Sequence, residues 1–296
     1  MNVTPAKPGL ISLGANYQPP SIEEVQALLP HLEILAYIGH GGMGTFYKAR
    51  HPRLDRLVAI KIFLVDPSSD TSFIEGFKRE ARAMAGLTHR SIIGIYDFGE
   101  TDSSLYLIME YVQGEILERL IESRGFGLQD VITILTQVCD ALDHAHKQGV
   151  IHRDLRMGNT MLNIAGQLKV GDFGLARLIG EELFRRNLTE ENKAMGTMDY
   201  VAPEQYTPGM AFDLRADIFS LGLMLYKLTT RTLPRGAFVP PSHFVPDLDP
   251  RVDEIVIRCM QRNPDNRYQT IAEVRTQLDR LRAQTESSQL KTRLSR

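Results

Sequence analysis

The stretch Ile151–Asn159, IHRDLRMGN, sets a histidine, two arginines, an aspartate and an asparagine between two apolar runs. Such a polar cluster in an apolar setting marks either a site that runs a reaction or the remnant of one. A second candidate is the loop Ile38–Phe46, IGHGGMGTF, whose Gly39, Gly41 and Gly44 follow the spacing G-x-G-x-x-G. Alone this spacing is weak evidence, because dinucleotide-binding loops and plain hairpins share it. A dinucleotide site needs a helix directly after the loop and an acidic residue about twenty residues on. Here the strand-like TFYKAR follows, and the downstream element is Val58-Ala59-Ile60-Lys61. The Gly-Lys-Ser/Thr ending of a P-loop is missing too. Glycines at a hairpin tip let backbone N–H groups approach phosphates without side-chain clash. A lid over ATP therefore fits better than a dinucleotide cradle.

These two stretches need elements to hold them. Residues 1–20 are rich in Pro, Gly and Asn and read as a flexible extension. Ser21 with Glu24 resembles a capping box, opening a short helix that ends near Pro30. LEILAYIGH, TFYKAR, RLVAIKIF, SIIGIYDFGE and SLYLIMEYV are strand-like, the first two joined by the glycine loop. Between the third and fourth lies a charged helix, Phe73–Leu87, with an apolar stripe at Phe77, Ala81 and Met84. After Gly114 the period changes: Val131, Ile134, Leu135, Val138, Leu142 and Ala145 mark a buried amphipathic helix. Further helices are predicted over Leu214–Thr229, Arg251–Gln261 and Tyr268–Arg282, and PRGAFVPPSHFVPDLDP is predicted as a surface loop. The expected organisation is α+β: an extension over 1–31, a β-rich lobe over 32–112, a helical lobe over 115–283, and a disordered tail over 284–296.

Composition excludes several classes. The chain has 296 residues, 43% apolar and 24% charged, as in ordinary globular enzymes. A net charge of −2 carries no footprint for nucleic acid. Cys139 and Cys259 sit in apolar helix-like runs without metal-ligand spacing, so buried free thiols in a reducing compartment are expected. No signal peptide is evident in MNVTPAKPGL, and no apolar run is long enough to span a membrane. A cytoplasmic location is expected, for the chain itself or as the cytosolic part of a larger protein.

Five motifs now stand in order: Gly39–Phe46, Val58–Lys61, His152–Asn159, Asp172–Gly174 and Ala202–Glu204. A glycine-rich loop, V-A-I-K, H-R-D-L-x-x-x-N, D-F-G and A-P-E together are the protein-kinase signature set. The chain resembles a Ser/Thr protein kinase with a bilobal kinase-like fold, and GHGGMG and GTMDYVAPEQ look most like the eukaryotic-like kinases of bacteria. The resemblance covers roughly Leu32 to Leu281.

What it implies follows from the needs of phosphoryl transfer, which are positioning and charge neutralisation. Lys61 would hold the α- and β-phosphates of ATP, with Glu80 as ion-pair partner and Glu75 as the alternative. Asp154 would orient the substrate hydroxyl, Arg156 would contact the transferring phosphate, and Asn159 and Asp172 would hold Mg²⁺ through oxygen. Ile38, Gly39, His40, Gly41, Gly42, Met43, Gly44, Thr45 and Phe46 would cover the nucleotide. Adenine would sit between the lobes, under Phe46 and Ala59 and above Met161, with Met109 as gatekeeper and the backbones of Glu110 and Val112 as hinge. Met84, Ile95, His152 and Phe173 match a stacked internal spine. Asp217 would anchor the catalytic loop, and Glu204 and Arg267 match a structural ion pair. Arg153 and Arg177 invite a phosphate in the loop after Asp172; Thr189 is the expected autophosphorylation site, with Glu190 or Glu191 as the bland substitute. Thr197 argues for Ser/Thr acceptors on protein substrates, and self-association would serve phosphorylation in trans.

Three departures from the family stand out. Arg156-Met157 replaces Lys-Pro, Phe46 replaces a valine over adenine, and Phe219 replaces a tryptophan or tyrosine after Asp217-Ile218. Lys61, Asp154, Asn159 and Asp172 are all present, which favours an active enzyme over a nucleotide-binding scaffold that signals by conformation. A small-molecule phosphotransferase is disfavoured by the A-P-E segment.

Overall fold

The structure, a computed structural model, describes residues 13, 17–41, 44–65, 71–101, 103–174, 201–207, 211–234 and 238–294. The chain divides into two compact units. One is built from residues up to Thr88 with Ile93–Gln113, the other from His89–Ile92, Gly114–Gly174 and the described residues after Gly196.

In the first unit, helix α1 (Ile22–Leu28) opens on a complete capping box, Ser21 and Glu24 each bonding the other's backbone N–H. Strands β1 (Glu33–Gly41), β2 (Gly44–His51), β3 (Arg56–Leu64), β4 (Ile95–Glu100) and β5 (Ser104–Glu110) form one antiparallel sheet in the order β1-β2-β3-β5-β4. All five coincide with the runs that read as strand-like in the sequence. Successive side chains point to opposite faces, so the sheet has two apolar sides to cover. Helix α2 (Thr71–Ala85) covers one, its Phe77, Ala81 and Met84 packing with Ala59, Phe63, Leu107 and Met109. The other side is covered by α1. Val25, Leu29 and Leu32 are buried there against Tyr47, Ala49, Val58, Ile60 and Ile62. Residues 17–31, expected from sequence as a flexible extension with a short helix, thus carry core side chains. Burying Val25 and Leu29 is worth roughly 1.5–3 kcal/mol each.

The second unit is mainly helical. A short sheet joins β6 (Gly114–Ile116), β7 (Thr160–Asn163) and β8 (Leu168–Val170). Helix α3 (Leu117–Ser123) precedes α4 (Leu128–Lys147), whose predicted stripe is buried. Helices α5 (Pro203–Tyr206) and α6 (Arg215–Thr230) follow; α6 is buried on almost every side, Asp217 included, as a central helix must be. Helices α7 (Pro241–Phe244), α8 (Pro250–Cys259) and α9 (Ile271–Leu294) complete the unit. Helix α9 outruns the expected end at Arg282, so residues 284–294 are helical where a disordered tail is expected. The continuation, AQTESSQLKTRL, holds no glycine or proline and several good helix formers. Cys139 on α4 and Cys259 on α8 are both buried free thiols.

Candidate active site

In the first unit the hairpin β1–β2 presents the glycine-rich segment, and Gly41 pairs with Gly44 at its tip. A Cβ at Gly44 would stand 2.9 Å from the carbonyl oxygen of Ile62, so only glycine permits this approach to β3. Phe46 lies directly across from Lys61. The Lys61 ammonium sits 4.8 Å from the Phe46 ring centroid and 5.3 Å from that of Phe63, within cation–π range. Lys61 is only 4% exposed. Of the two acids weighed as its partner, Glu75 has a side chain 58% exposed and bonded to Lys78, while that of Glu80 is 12% exposed. Burial therefore favours Glu80 for an internal role. Ala59 and Met109 are adjacent in register and buried in the α2-side cluster, where Met84 belongs and Ile95 packs. Glu110 donates its N–H to Gly94 O (2.8 Å) and accepts from Gly94 N–H on its carboxylate (3.3 Å), which fixes the end of β5; Val112 is buried just beyond. Ile38 and His40 are exposed on β1, and Thr45 is buried.

In the second unit the catalytic-loop residues are drawn together by one carboxylate. Asp217, fully buried on α6, accepts from the backbone N–H groups of His152 and Arg153 and from Nε2 of His146, all at 2.8 Å. Burial pushes its carboxyl up, but the His146 hydrogen bond and charge and the His152 contacts outweigh this and hold it below the usual carboxylate range. Strain marks this loop and the segment beyond β8: Arg153 has φ 70° and Asp172 φ 59°, left-handed values that non-glycine residues adopt only when the surroundings impose them. His152 Nε2 bonds Gly171 O (2.9 Å), and its ring lies 4.5 Å from that of Phe173. Gln205 adds a further tie, donating to Arg153 O (2.8 Å) while accepting from Ala202 N–H (3.2 Å).

Asp154 and Asn159 meet inside this frame. The Asn159 amide donates to both the carbonyl O and Oδ2 of Asp154, each at 2.8 Å, and Gly171 N–H donates to the Asn159 carbonyl. With both amide hydrogens spent on Asp154, the Asn159 side chain offers its oxygen, the donor type a hard cation takes. Among the described residues no three His, Cys, Asp or Glu side chains converge on a metal-sized site. One asparagine oxygen and one aspartate suit a cation whose remaining ligands are nucleotide phosphates and water. Arg156 Nε lies 3.6 Å from Asp154 Oδ2. A Cβ at Gly158 would stand 3.1 Å from both Arg156 Nη1 and Glu118 Oε2, so a larger residue here would crowd both side chains; Glu118 accepts from Lys227 (2.9 Å). Met157, in place of the usual proline, is fully buried. Met161 lies on β7 opposite Ile116 and Lys169.

Residues 32–278 match the protein kinase domain family. The chain belongs to the protein kinase family. It is 36% identical over 275 residues to the serine/threonine-protein kinase PknB of Mycobacterium leprae, covering 85% of this chain and 44% of that one. A probable serine/threonine-protein kinase of Clostridium acetobutylicum is 35% identical over 260 residues, covering 83% and 39%. The chain therefore spans less than half the length of these curated relatives. Among solved structures, the kinase domain of Mycobacterium tuberculosis PknI superposes with TM-score 0.68 at 27% identity, covering 84% of this chain and 96% of that one. The fold is that of a protein kinase, with a five-stranded antiparallel sheet in one lobe and helices in the other.

Within this kinase domain, Glu204 and Arg267 form a bidentate pair (2.6 and 2.8 Å) with both side chains buried, and the guanidinium also lies over Phe219 (4.9 Å). Phe219 thus gives Arg267 an aromatic face. Gly42, Met43, Arg177, Thr189, Glu190, Glu191 and Thr197 lie outside the described residues. The sequence reading missed His146, Gln205 and Glu118. Only His146 had a signal, since it falls on the apolar stripe of α4, four residues after Leu142.

Proposed function

We propose that this kinase domain transfers the γ-phosphoryl group of Mg-ATP to serine and threonine hydroxyls of proteins. The observation that carries the reading is the Asp154–Asn159 contact inside the loop fixed by Asp217, because it poses a carboxylate and an amide oxygen side by side. Oδ2 of Asp154 is engaged by Asn159 and Arg156, which leaves Oδ1 to receive or orient the acceptor hydroxyl's proton. Asn159 and Asp172 would hold Mg²⁺, which when bound neutralises phosphate charge. Lys61 positions the α- and β-phosphates, with Glu80 as the acid that aims it. Arg156 presents a planar, permanently charged group to the transferring phosphate in place of lysine. Residues 38–46, Ala59, Met109, Glu110, Val112 and Met161 line the nucleotide. Thr197 selects Ser/Thr acceptors, and Thr189 is an autophosphorylation site reached in trans by a second copy. The catalytic domain spans 32–283 and works in the cytoplasm, alone or within a longer protein; no helix among the described residues is long and apolar enough to cross a membrane.

Incubation with labelled Mg-ATP and a generic basic protein, beside Asp154→Asn, tests this. Incorporation on Ser and Thr that the variant abolishes is expected. Equal incorporation in both, or none in either while ATP still binds, would defeat the reading.

A further inference from the structure

The family match begins at residue 32, yet the residues before it hold the back of the hairpin that carries the glycine-rich segment. Tyr17 Oη and Thr45 Oγ1 share a hydrogen bond of 3.2 Å, and the Tyr17 ring meets His40 edge-on at 6.2 Å. Tyr47 donates its hydroxyl proton to Pro20 O (2.5 Å). Tyr37, on β1, shares a 2.6 Å hydrogen bond with His40 Nδ1 and packs its ring edge-on to Tyr47 at 5.7 Å. Beyond Ser21, Val25 and Leu29 enter the apolar cluster on that face, and Gln26 clasps the turn into β1 through Leu32 O (2.7 Å) and Ile34 N–H (3.0 Å).

Alternation decides what this grip reaches. Thr45 and Tyr47 face the strap, so Phe46 between them faces the other way, toward Lys61. Fixing β2 at 45 and 47 from behind therefore fixes the ring at 46 and the backbone N–H groups beside Gly44. We infer that residues 17–31 are a strap that holds the glycine-rich hairpin in its nucleotide-binding position, with Tyr17 as the positioning residue at the hairpin's tip. The inference rests on the nucleotide-binding role proposed above and adds a control element outside the family's own boundaries. Tyr17 acts through its contacts with Thr45 and His40.

The test uses the full chain with Tyr17→Phe, which keeps the ring, Tyr17→Ala, which removes it, and Tyr47→Phe, which frees the Pro20 end. Amide hydrogen exchange of the free chain is measured at Gly39–Gly41 and Gly44–Tyr47, and Mg-ADP affinity is measured by calorimetry. Tyr17→Ala is expected to speed exchange at those amides roughly three- to ten-fold, the factor that one net hydrogen bond supplies, and to leave β4 and β5 unchanged. ADP affinity should fall by about two- to five-fold, less for Tyr17→Phe. Tyr17→Phe combined with Thr45→Val should cost no more than Thr45→Val alone, because the two hydroxyls form one bond. Unchanged exchange at the hairpin, or unchanged ADP affinity despite a lowered melting temperature, overturns the strap. Failure of the unmodified chain to bind ADP defeats the nucleotide reading instead, and exchange in the free chain still reports on the strap.

Discussion

The two units hold their functional residues by different physics. In the second, the catalytic loop is fixed by buried polar groups: Asp217 accepts three hydrogen bonds, Gln205 bridges two segments, and Asn159 spends its amide on Asp154. In the first, the glycine-rich hairpin is held by ring edges, three tyrosine hydroxyl bonds and an apolar helix on its back. Buried hydrogen bonds are directional and costly to leave unmade, so they fix atoms to a fraction of an ångström. Aromatic edges near solvent restrain orientation more loosely. In the proposed reaction a carboxylate has to meet one hydroxyl proton, which calls for the first kind of support. The loop proposed to admit and release a nucleotide is served by the second.

That contrast predicts where damage falls. Asp154→Asn should lower phosphoryl transfer roughly hundred- to ten-thousand-fold with ADP affinity retained, measured by single-turnover transfer beside calorimetry. Equal loss of binding and transfer would place Asp154 in nucleotide binding and blur the division. Next, Glu204→Ala strands the buried Arg267 charge and should destabilise the second unit by roughly 3–5 kcal/mol in urea unfolding. Glu204→Gln should cost less, since it keeps an acceptor for the guanidinium. Asp217→Asn keeps one oxygen but leaves a buried N–H without a partner, at a cost of roughly 1–3 kcal/mol. It should also change the acid limb. The Asp217 carboxyl is held below its ordinary range, so its stabilisation is complete at neutral pH and lost as pH falls through that lowered value. Unfolding followed from pH 7 to pH 3 should show a shallower decline in the variant. The smallest effect is expected from Phe46→Leu, which removes the ring near Lys61. ADP affinity should weaken about two- to five-fold, the size of a modest cation–π contact, with stability of the second unit unmoved.

The sequence carried the parts of this division that are local. Five strands followed from β-rich runs and glycine punctuation, and α2 and α4 from their stripes. The motif residues needed only their spacing. What was not legible depends on long-range meeting. His146 lies 71 residues from Asp217, and nothing near it announces that α6 will bring a carboxylate to its ring. Gln205 acts through Arg153, 52 positions away. Residues 17–20 look like a proline-rich extension because their partners, Thr45 and Tyr47, arrive only once β2 has formed. The end of α9 was misjudged for a simpler reason: the apolar stripe stops before the helix does, and propensity carries the backbone on to Leu294.

The two cysteines give the second unit an internal alarm. Cys139 and Cys259 are buried, and burial pushes both thiols up, Cys259 to about 12, so the reactive thiolate is scarce at neutral pH. An alkylating reagent therefore has to wait for α4 or α8 to open. The chain contains no tryptophan to report unfolding by fluorescence. Its thiols serve instead, as a chemical clock that times opening of the helical unit while remaining silent to any movement of the glycine-rich hairpin.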